Sequence, residues 1–420
     1  MKAEAPTNTD TSDIINIPPD LWAKTEAKRW PLILIQQALA RGVPAAQLHQ
    51  ALDSGLTASQ AREMMTSRRG ATAPPALSMR WAQVETERGV RARPGKKGLT
   101  IDAINVGSYG VVPEYWPGQT MQPRGAFLKP GAMSMGYSIN TKAEVWADNL
   151  GELYEEAIQR RWRPATDIPW ESITPLPEDT ERAICQLCTE LCEYNYMVIV
   201  ALGKWIREIC YGFHEAKLFL STVLLDTGRH FEAFRKRALA NGGGLGVQSP
   251  GQRLVPIRDA QNYSEMAALV FLLNDSFVQS QYLLGAGLAH NEADARLFGL
   301  AAQDKGRHIA YGVAHLRYLL EHQPERRGEI HKYLQKGEEY LTKDIEKYAP
   351  PREALAILLG GGLREIGEGF RKLKEFRRRQ VITYLGRLES AGLGDHRERL
   401  WPPIAAYLET AAVEAAPVPA

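Results

Sequence analysis

The sequence has no excess of charge of either sign. Its 51 basic and 49 acidic residues leave a formal net charge of +2 over 420 residues. Nucleic acids and anionic membranes are bound through a field of one sign, so this balance argues against both as partners. No apolar run reaches the roughly 18 residues that a membrane span needs, and the N-terminus lacks the basic and apolar regions of a signal peptide. We therefore predict a cytoplasmic protein that binds neither membrane nor nucleic acid.

Cysteine is also scarce, with four residues in the chain. Three of them, Cys185, Cys188 and Cys192, have helical spacing and share one face of a helix. No histidine or further cysteine follows at the spacing of a zinc finger. We predict that these thiols are small packing residues kept reduced, and a site for a soft metal is the less favoured alternative.

Proline and glycine are concentrated in a tract before residue 140, which argues against long helices there. This tract allows at most short strands, such as one at 99–106. We predict six segments along the chain: a disordered N-terminus at 1–20, a short helical segment at 21–67, an irregular Pro/Gly-rich arm at 68–140, a helical bundle at 141–323, C-terminal helices at 324–395 and a tail at 396–420.

The remainder of the chain has the periodicity of helices. After a first helix at 141–161, the pattern predicts four long helices, at 178–210, 214–240, 264–289 and 291–322. The second of these stops at an asparagine and three glycines, a run that suits a left-handed helix end. Four helices in two consecutive hairpins form a four-helix bundle. The predicted fold is therefore mostly α, with an N-terminal arm and extra C-terminal helices around the bundle.

One pentapeptide occurs twice in this bundle. DTGRH at 226–230 returns as DKGRH at 304–308. Residues three apart share one face of a helix, so the second position and the histidine of each copy point the same way. That is the geometry of the Glu-x-x-His motif on two helices of carboxylate-bridged di-iron bundles. Both histidines are present here, but Thr227 and Lys305 stand at the two glutamate positions.

The other two helices of such a bundle contribute one glutamate each. On the first helix, Asn195 is the single strongly polar member of the apolar stripe, and Glu193 lies about 200° away from it. On the third helix, Asn274 stands on the inward stripe, and Asp275 is about 100° off that stripe. Asp275 would reach the centre only through a local bulge of the helix, of the kind found at functional sites. We therefore predict Asn195 and Asn274 at the two remaining glutamate positions.

The region from 141 to 320 resembles the ferritin-like di-metal carboxylate superfamily. This family includes bacterial multicomponent monooxygenase hydroxylases, ribonucleotide reductase small subunits and arylamine N-oxygenases. Its frame is D-E-x-R-H, written twice, and this chain keeps the frame apart from the glutamates, at Asp226, Arg229, His230, Asp304, Arg307 and His308.

The resemblance implies a ferritin-like four-helix bundle and an oxidoreductase of the monooxygenase or N-oxygenase type. Its substrate would be a small organic molecule in the bundle core. In the family the aspartates support the histidines, so Asp226 and Asp304 would each hold the imidazole of the opposite copy, with Arg229 and Arg307 beside them. We also predict a homodimer.

All four expected glutamates are replaced in this chain. The positive charge of a di-iron pair has to be offset in a dry interior, where unpaired charge is costly. Neutral asparagine and threonine cannot offset it, and a lysine ammonium repels a cation. We therefore predict a centre with no cofactor, or with a single metal ion bound by His230 and His308. The candidate catalytic residues are Lys305, His230, His308, Asn195, Thr227 and Asn274.

Three hypotheses account for this centre. In the first it is a remodelled active site, with the histidines as acid–base groups and Lys305 as a cationic anchor or a reactive amine. Some ribonucleotide reductase small subunits resemble this case, because they replace metal-binding glutamates with neutral residues and a lysine and work without metal. In the second, the chain is a non-catalytic subunit or binding module that pairs with a catalytic paralogue.

In the third hypothesis the centre is a structural polar cluster. A buried polar group left unsatisfied costs about 1–3 kcal/mol. A core without a role should therefore drift to apolar residues, so the remodelled active site is favoured. Its proposed partners are a small-molecule substrate and an electron-donor protein.

Overall fold

The computed structural model describes residues 17–40, 42–60, 89–126 and 131–409. The chain divides into two compact units, Met1–Thr86 and Glu87–Ala420. The described residues of both units are helical or irregular, with no β-strand among them. The predicted mostly α fold is therefore confirmed. Among the same residues, no helix is long and apolar enough to cross a membrane.

Three short helices make up the described part of the first unit: α1 Pro19–Ala27, α2 Leu32–Ala40 and α3 Ala45–Asp53. A proline opens or directly precedes each helix, a position where its missing N–H costs nothing. Leu21, Ile35 and Leu48 form a small buried core, and an ion pair of 2.5 Å joins Lys24 on α1 to Asp53 on α3. Residues 1–16 of the predicted disordered N-terminus and residues 61–67 of the predicted helical segment lie outside the described residues.

In the described residues 89–126 and 131–149, the segment before the bundle has short 3-10 turns and irregular structure. The strand expected at 99–106 is absent, and short 3-10 turns occupy Asp102–Ile104 and Gly107–Gly110 instead. The first predicted helix, at 141–161, begins only with α4 at Leu150–Gln159. The carbonyls of Val145 and Trp146 explain the delay, because they accept hydrogen bonds from side chains of a later helix rather than from their own turn. Residues 68–88 and 127–130 of the predicted arm lie outside the described residues.

The bundle is made of two antiparallel helix pairs. Two cysteine thiols of the first long helix bond to backbone carbonyls of the second, Cys185 to Ala238 and Cys192 to Phe231. The residue numbers rise on one helix as they fall on the other, so the two helices are antiparallel. The elements of the bundle are α5 Glu178–Glu208, α6 His214–Ala240, α7 Val255–Arg258, α8 Tyr263–Ala267, a π turn at Ala268–Asn274, α9 Asp275–Gly287 and α10 Glu292–His322.

Local sequence sets the ends of these helices. Asn241 ends α6, and the left-handed Gly242 at φ +81° turns the chain away, as the glycine run predicts. Asn291 caps α10, because its side chain accepts a hydrogen bond from the Asp294 amide. Burial raises the pKa of Cys185 and of Cys192 to about 12, so the thiols of α5 stay protonated and pack as apolar groups.

Four helices follow the bundle: α11 Arg327–Lys347, α12 Ala349–Gly360, α13 Ile366–Ser390 and α14 Pro402–Ala405. The helix predicted at 351–391 is broken between α12 and α13, where Gly361 and Gly362 adopt φ of +90° and +138°. In the predicted tail, His396 and Ile404 are buried, and residues 410–420 lie outside the described part of the chain.

Candidate functional site

The two repeated motifs pair across the bundle core. His230 on α6 bonds to Asp304 on α10, with 3.0 Å between Nε2 and Oδ2. His308 on α10 bonds in the same way to Asp226 on α6, at 3.2 Å. All four side chains are buried. Each aspartate therefore holds the imidazole of the opposite copy, which is the arrangement that the family resemblance implies.

Two arginines and a tryptophan complete this network. Arg229 bonds to Asp226 on its own helix and lies 3.3 Å from Asp304. Arg307 bonds to Asp304 and lies 3.3 Å from Asp226. Trp162 adds a donor, because its Nε1 lies 2.8 Å from Asp304 Oδ2. Two carboxylates thus face two guanidinium groups, and the buried charges balance. Sequence reasoning missed Trp162, which precedes the bundle helices and shares no pattern with the motifs.

The two aspartates titrate in one shared field. Burial and the nearby Asp304 charge raise the pKa of Asp226 above its usual value. Burial opposes ionisation of Asp304 too, but the hydrogen bond from His230 and the charges of the two arginines outweigh it and lower the pKa of that carboxyl. Asp304 is therefore the firmer acceptor of the two.

Both imidazoles of the network are neutral. Burial lowers the pKa of His230, although Asp304 opposes the shift. Burial and the Lys305 cation lower the pKa of His308 well below its usual value. Since an ionised carboxylate only accepts hydrogen bonds, each Nε2 carries the proton and donates it. Each Nδ1 then has a buried lone pair that accepts no hydrogen bond. The centroids of the two rings lie 6.4 Å apart.

An ion pair lies beside these histidines at the centre of the bundle. Lys305 Nζ on α10 lies 2.8 Å from Asp275 Oδ1 on α9, and neither side chain is exposed. Tyr194 on α5 donates its hydroxyl to the same oxygen at 2.7 Å. Burial and the Asp275 charge raise the pKa of Tyr194 well above its usual value, so the phenol remains a donor. The second oxygen of Asp275 lies 3.9 Å from His308 Nδ1.

A π turn explains how Asp275 reaches the centre. The turn at Ala268–Asn274 adds one residue to the helix, which rotates every later side chain by about 100° relative to an unbroken α-helix. The α-helical phase predicts Asn274 at this place, but the Asn274 amide donates to the Leu269 carbonyl of its own helix at 2.8 Å. The prediction is corrected accordingly: Asp275 is the residue of the third bundle helix that contacts Lys305.

The remaining predicted residues are buried in the same core. The Asn195 amide donates to the Leu191 carbonyl at 2.7 Å and to the Tyr282 hydroxyl at 2.9 Å. The Tyr282 ring packs edge-on to His230, with 5.7 Å between centroids. The Thr227 hydroxyl donates to the Val223 carbonyl one turn back, at 2.7 Å. Asn195 is thus connected to His230 through Tyr282, whereas the Thr227 hydroxyl forms its hydrogen bond within its own helix.

The residues of this centre do not fit a pair of metal ions. The four glutamate positions hold asparagine, threonine, lysine and, on the third helix, the Asn274–Asp275 pair. The one carboxylate at the centre, Asp275, is already neutralised by Lys305. Within residues 17–40, 42–60, 89–126 and 131–409, no group of three or more His, Cys, Asp or Glu side chains is arranged to hold a metal ion.

Buried acceptor atoms in and beside the centre lack hydrogen-bond donors. Since a buried polar atom left unsatisfied costs about 1–3 kcal/mol, this core is less stable than an apolar core of the same size. Buried donors beside them also lack a hydrogen-bond partner, among them Lys305 Nζ and Arg307 Nε, so the centre suits a polar group that both donates and accepts hydrogen bonds. The acceptor atoms are Asn195 Oδ1, His230 Nδ1, Asn274 Oδ1, Asp275 Oδ2 and His308 Nδ1.

In the described part of the chain, the second unit is a helical bundle in which the two motifs pair across the core. No protein-family model matches the chain, and neither does any curated protein sequence. Solved structures of R2-like ligand-binding oxidases, which are ferritin-like di-metal carboxylate proteins, are similar to it.

Three of these oxidase structures show the extent of the likeness. One with an aerobically reconstituted Mn/Fe cofactor has 14% sequence identity and a TM-score of 0.42, over 61% of this chain and 93% of that chain. A mutant with an Fe/Fe cofactor has 16% identity and a TM-score of 0.43, over 58% and 94%. One studied after photoconversion has 15% identity and a TM-score of 0.41, over 61% and 94%.

Proposed function

We propose that the chain is an oxidoreductase of the monooxygenase or N-oxygenase type whose centre works without a metal pair. Its substrate is a small organic molecule with an N–H or O–H group, bound in the bundle core. The observation that carries the proposal is the buried Lys305–Asp275 ion pair beside two neutral histidines with free Nδ1 lone pairs.

The chemistry of these groups supports the proposal. Lys305 supplies a fixed positive charge in a low-dielectric core, where it acts more strongly than in water. His230 and His308 present neutral imidazole nitrogens, which can accept a hydrogen bond from a bound amine or hydroxyl and so orient it. Tyr194 and Tyr282 hold Asp275 and Asn195 in place through their hydroxyl groups. A donor-bearing substrate would satisfy acceptors that the protein leaves unpaired.

Metal content tests the central claim of this proposal. Protein incubated with Fe(II) and Mn(II) and then desalted should hold at most one metal ion per chain by elemental mass spectrometry. Two metal ions per chain would contradict it. A single ion that is lost in His230→Ala and in His308→Ala would assign these histidines as ligands of a mononuclear site.

The variant Lys305→Glu sharpens this test, because it restores one Glu-x-x-His motif and sets a second carboxylate beside Asp275. Two like charges in a dry core repel, so adding Mn(II) should raise the melting temperature of this variant by several degrees and leave the wild type unchanged. Lys332→Glu, at an exposed lysine of α11, is the matched control. If Mn(II) changed the melting temperature of all three proteins equally, Lys305 would not be the residue that keeps metal ions out of the centre.

Activity needs a separate measurement with small arylamines and phenols. Under dioxygen, with ascorbate in place of the electron-donor protein, the wild type should form an oxidised product that mass spectrometry detects. His230→Ala should abolish it. Conversion at equal rates by wild type and His230→Ala would place the chemistry elsewhere.

The alternative is a non-catalytic subunit that pairs with a catalytic paralogue. The opposite charges of Lys305 and Asp275 neutralise each other. This favours the alternative, because a centre that is neutral by itself needs no ligand to be stable. Exposed apolar side chains on α5 and α6, among them Tyr196, Val200, Leu225 and Leu239, would then meet a partner, which we propose to be a second copy of this chain or such a paralogue. Co-purification with a paralogue that has both glutamates, together with no product from the chain alone, would favour this alternative.

A further inference from the structure

We propose that a second cavity, away from the bundle centre, binds a small organic carboxylate. The cavity has a volume of about 260 Å³ and lies among α11, α12, α13 and the C-terminal turn. Three basic side chains, Arg352, Lys374 and Arg377, line it together with Glu346, Tyr407 and Phe370. The proposal is independent of the function assigned to the bundle core.

The observation that carries this inference is the environment of Arg377. This residue is only 3% exposed, and its guanidinium donates to Gln380 Oε1 at 2.8 Å. Burial lowers the pKa of this guanidinium. In the part of the chain that the structure describes, no carboxylate lies within ion-pair distance of it. An isolated charge in a protein interior is costly, and an anionic ligand would offset that cost.

The neighbouring acidic groups are engaged elsewhere. Glu190 is paired with Arg253 at 3.0 Å. Glu346 interacts with the Tyr407 hydroxyl. Burial and the Glu346 carboxylate raise the pKa of Tyr407 to about 12 against the opposing charge of Arg377, so this phenol is a neutral donor. Three basic groups and one carboxylate, that of Glu346, line the cavity. The cavity therefore has an excess of positive charge.

Arg352 offers a second guanidinium to the same ligand. One of its terminal nitrogens donates to the Glu346 carbonyl at 2.6 Å, and its buried Nε has no acceptor. The guanidinium lies over the ring of Phe370, 5.8 Å from the centroid, which holds it at the cavity wall. Planar guanidinium groups match the two oxygens of a carboxylate.

The apolar part of the wall defines the rest of the ligand. Phe370 and Leu373 line the cavity beside the basic groups. The volume lies just below the roughly 300–1,000 Å³ of common small-molecule sites. The cavity therefore suits a compact anion with an apolar body, such as an aromatic or short aliphatic carboxylate, better than a bare inorganic ion.

Calorimetric titration with benzoate, inorganic phosphate and benzyl alcohol tests the proposal. Benzoate should bind the full chain at least tenfold more tightly than either control, because phosphate lacks the apolar body and benzyl alcohol lacks the charge. In Arg377→Met the benzoate affinity should fall at least tenfold. Arg379→Met, an exposed arginine on the same helix, should bind benzoate as the wild type does.

The same titrations can overturn the proposal. Absence of benzoate binding, equal binding by Arg377→Met, or tighter binding of phosphate than of benzoate would each do so. If Arg377→Met does not fold, Lys374→Met, at an exposed lysine that lines the cavity, replaces it, with a weaker benzoate affinity as the expected result.

Discussion

At the scale of single residues, Lys305 decides the electrostatics of the bundle core. It places a positive charge where the family frame has a glutamate, and Asp275 supplies the opposite charge 2.8 Å away. Both side chains are fully buried, so removal of either one leaves an uncompensated charge in a low-dielectric interior. Such a pair adds little net stability as a whole, yet breaking it is expensive.

A double-mutant cycle on this pair gives the first prediction. Lys305→Met and Asp275→Asn should each lower the free energy of unfolding, Lys305→Met by about 3–5 kcal/mol, because each leaves one partner unpaired. The double variant should recover most of the loss, since both charges are gone and the asparagine can still accept from Tyr194. Urea denaturation measures all four proteins. Strictly additive losses would mean that the two residues do not act as a pair.

The double variant also separates stability from function. If the charge of Lys305 serves the chemistry, the double variant should fold and yet form no oxidised product from an arylamine. Full activity in that variant would leave Lys305 with a structural role only.

At the scale of elements, the π turn determines which side chains enter the core. The turn packs against α10 at a very close approach, because a Cβ added at Gly312 would lie 2.5 Å from Phe271 Cβ and 3.2 Å from the Phe271 carbonyl carbon. Phe271 belongs to the π turn. Gly312 therefore allows the turn to sit where it presents Asp275 to Lys305.

Two glycine substitutions in α10 give the second prediction. Gly312→Ala should lower the free energy of unfolding by about 1–3 kcal/mol, because the new methyl group overlaps the backbone of the π turn. Gly299→Ala is the matched control in the same helix, where nothing lies within 4 Å of the added Cβ. It should raise stability by about 0.5–1 kcal/mol through helix propensity. Equal effects of the two changes would show that the close approach at Gly312 plays no part.

At the scale of the whole molecule, buried histidines set the response to acid. Burial is the largest cause of a lowered pKa at each of five histidines. A lowered pKa means that the unfolded chain binds a proton more readily than the folded chain, so stability is present above the unfolded pKa of about 6.5 and is lost as the pH falls. The five are His214, His230, His308, His315 and His331.

His315 carries the third prediction, because burial lowers its pKa to about 4. Its Nδ1 donates to the Trp146 carbonyl at 3.0 Å. Its buried Nε2 has no hydrogen-bond partner, so a second proton there would create a charge that nothing in the core stabilises. Between pH 6.5 and pH 4 this residue should cost the fold about 3 kcal/mol. Over the same pH range, the free energy of unfolding of His315→Gln should fall by about 3 kcal/mol less than that of the wild type. Urea denaturation at each pH measures both. His290→Gln, at an exposed histidine, is the control, and a His315→Gln curve parallel to the wild type would refute the assignment.

The sequence alone determined the helical class, the four long helices and the doubled motif at their centre. These depend on local signals: the helical period, the asparagine and glycine ends, and the three-residue spacing that puts each histidine on the face of Thr227 or Lys305. The pairing of Asp226 and Asp304 with the opposite histidines could also be expected, through the family resemblance.

Only the tertiary structure decided which residue completes the centre. A π turn is stabilised by what it packs against, here α10 at Gly312, and no local pattern in Ala268–Asn274 reveals it. The turn brings Asp275, instead of Asn274, to the centre, so Lys305 forms a buried ion pair there. The same reason applies to Trp162, Tyr194 and Arg377. Their roles depend on neighbours that are far away in the chain, and such contacts cannot be read from the sequence.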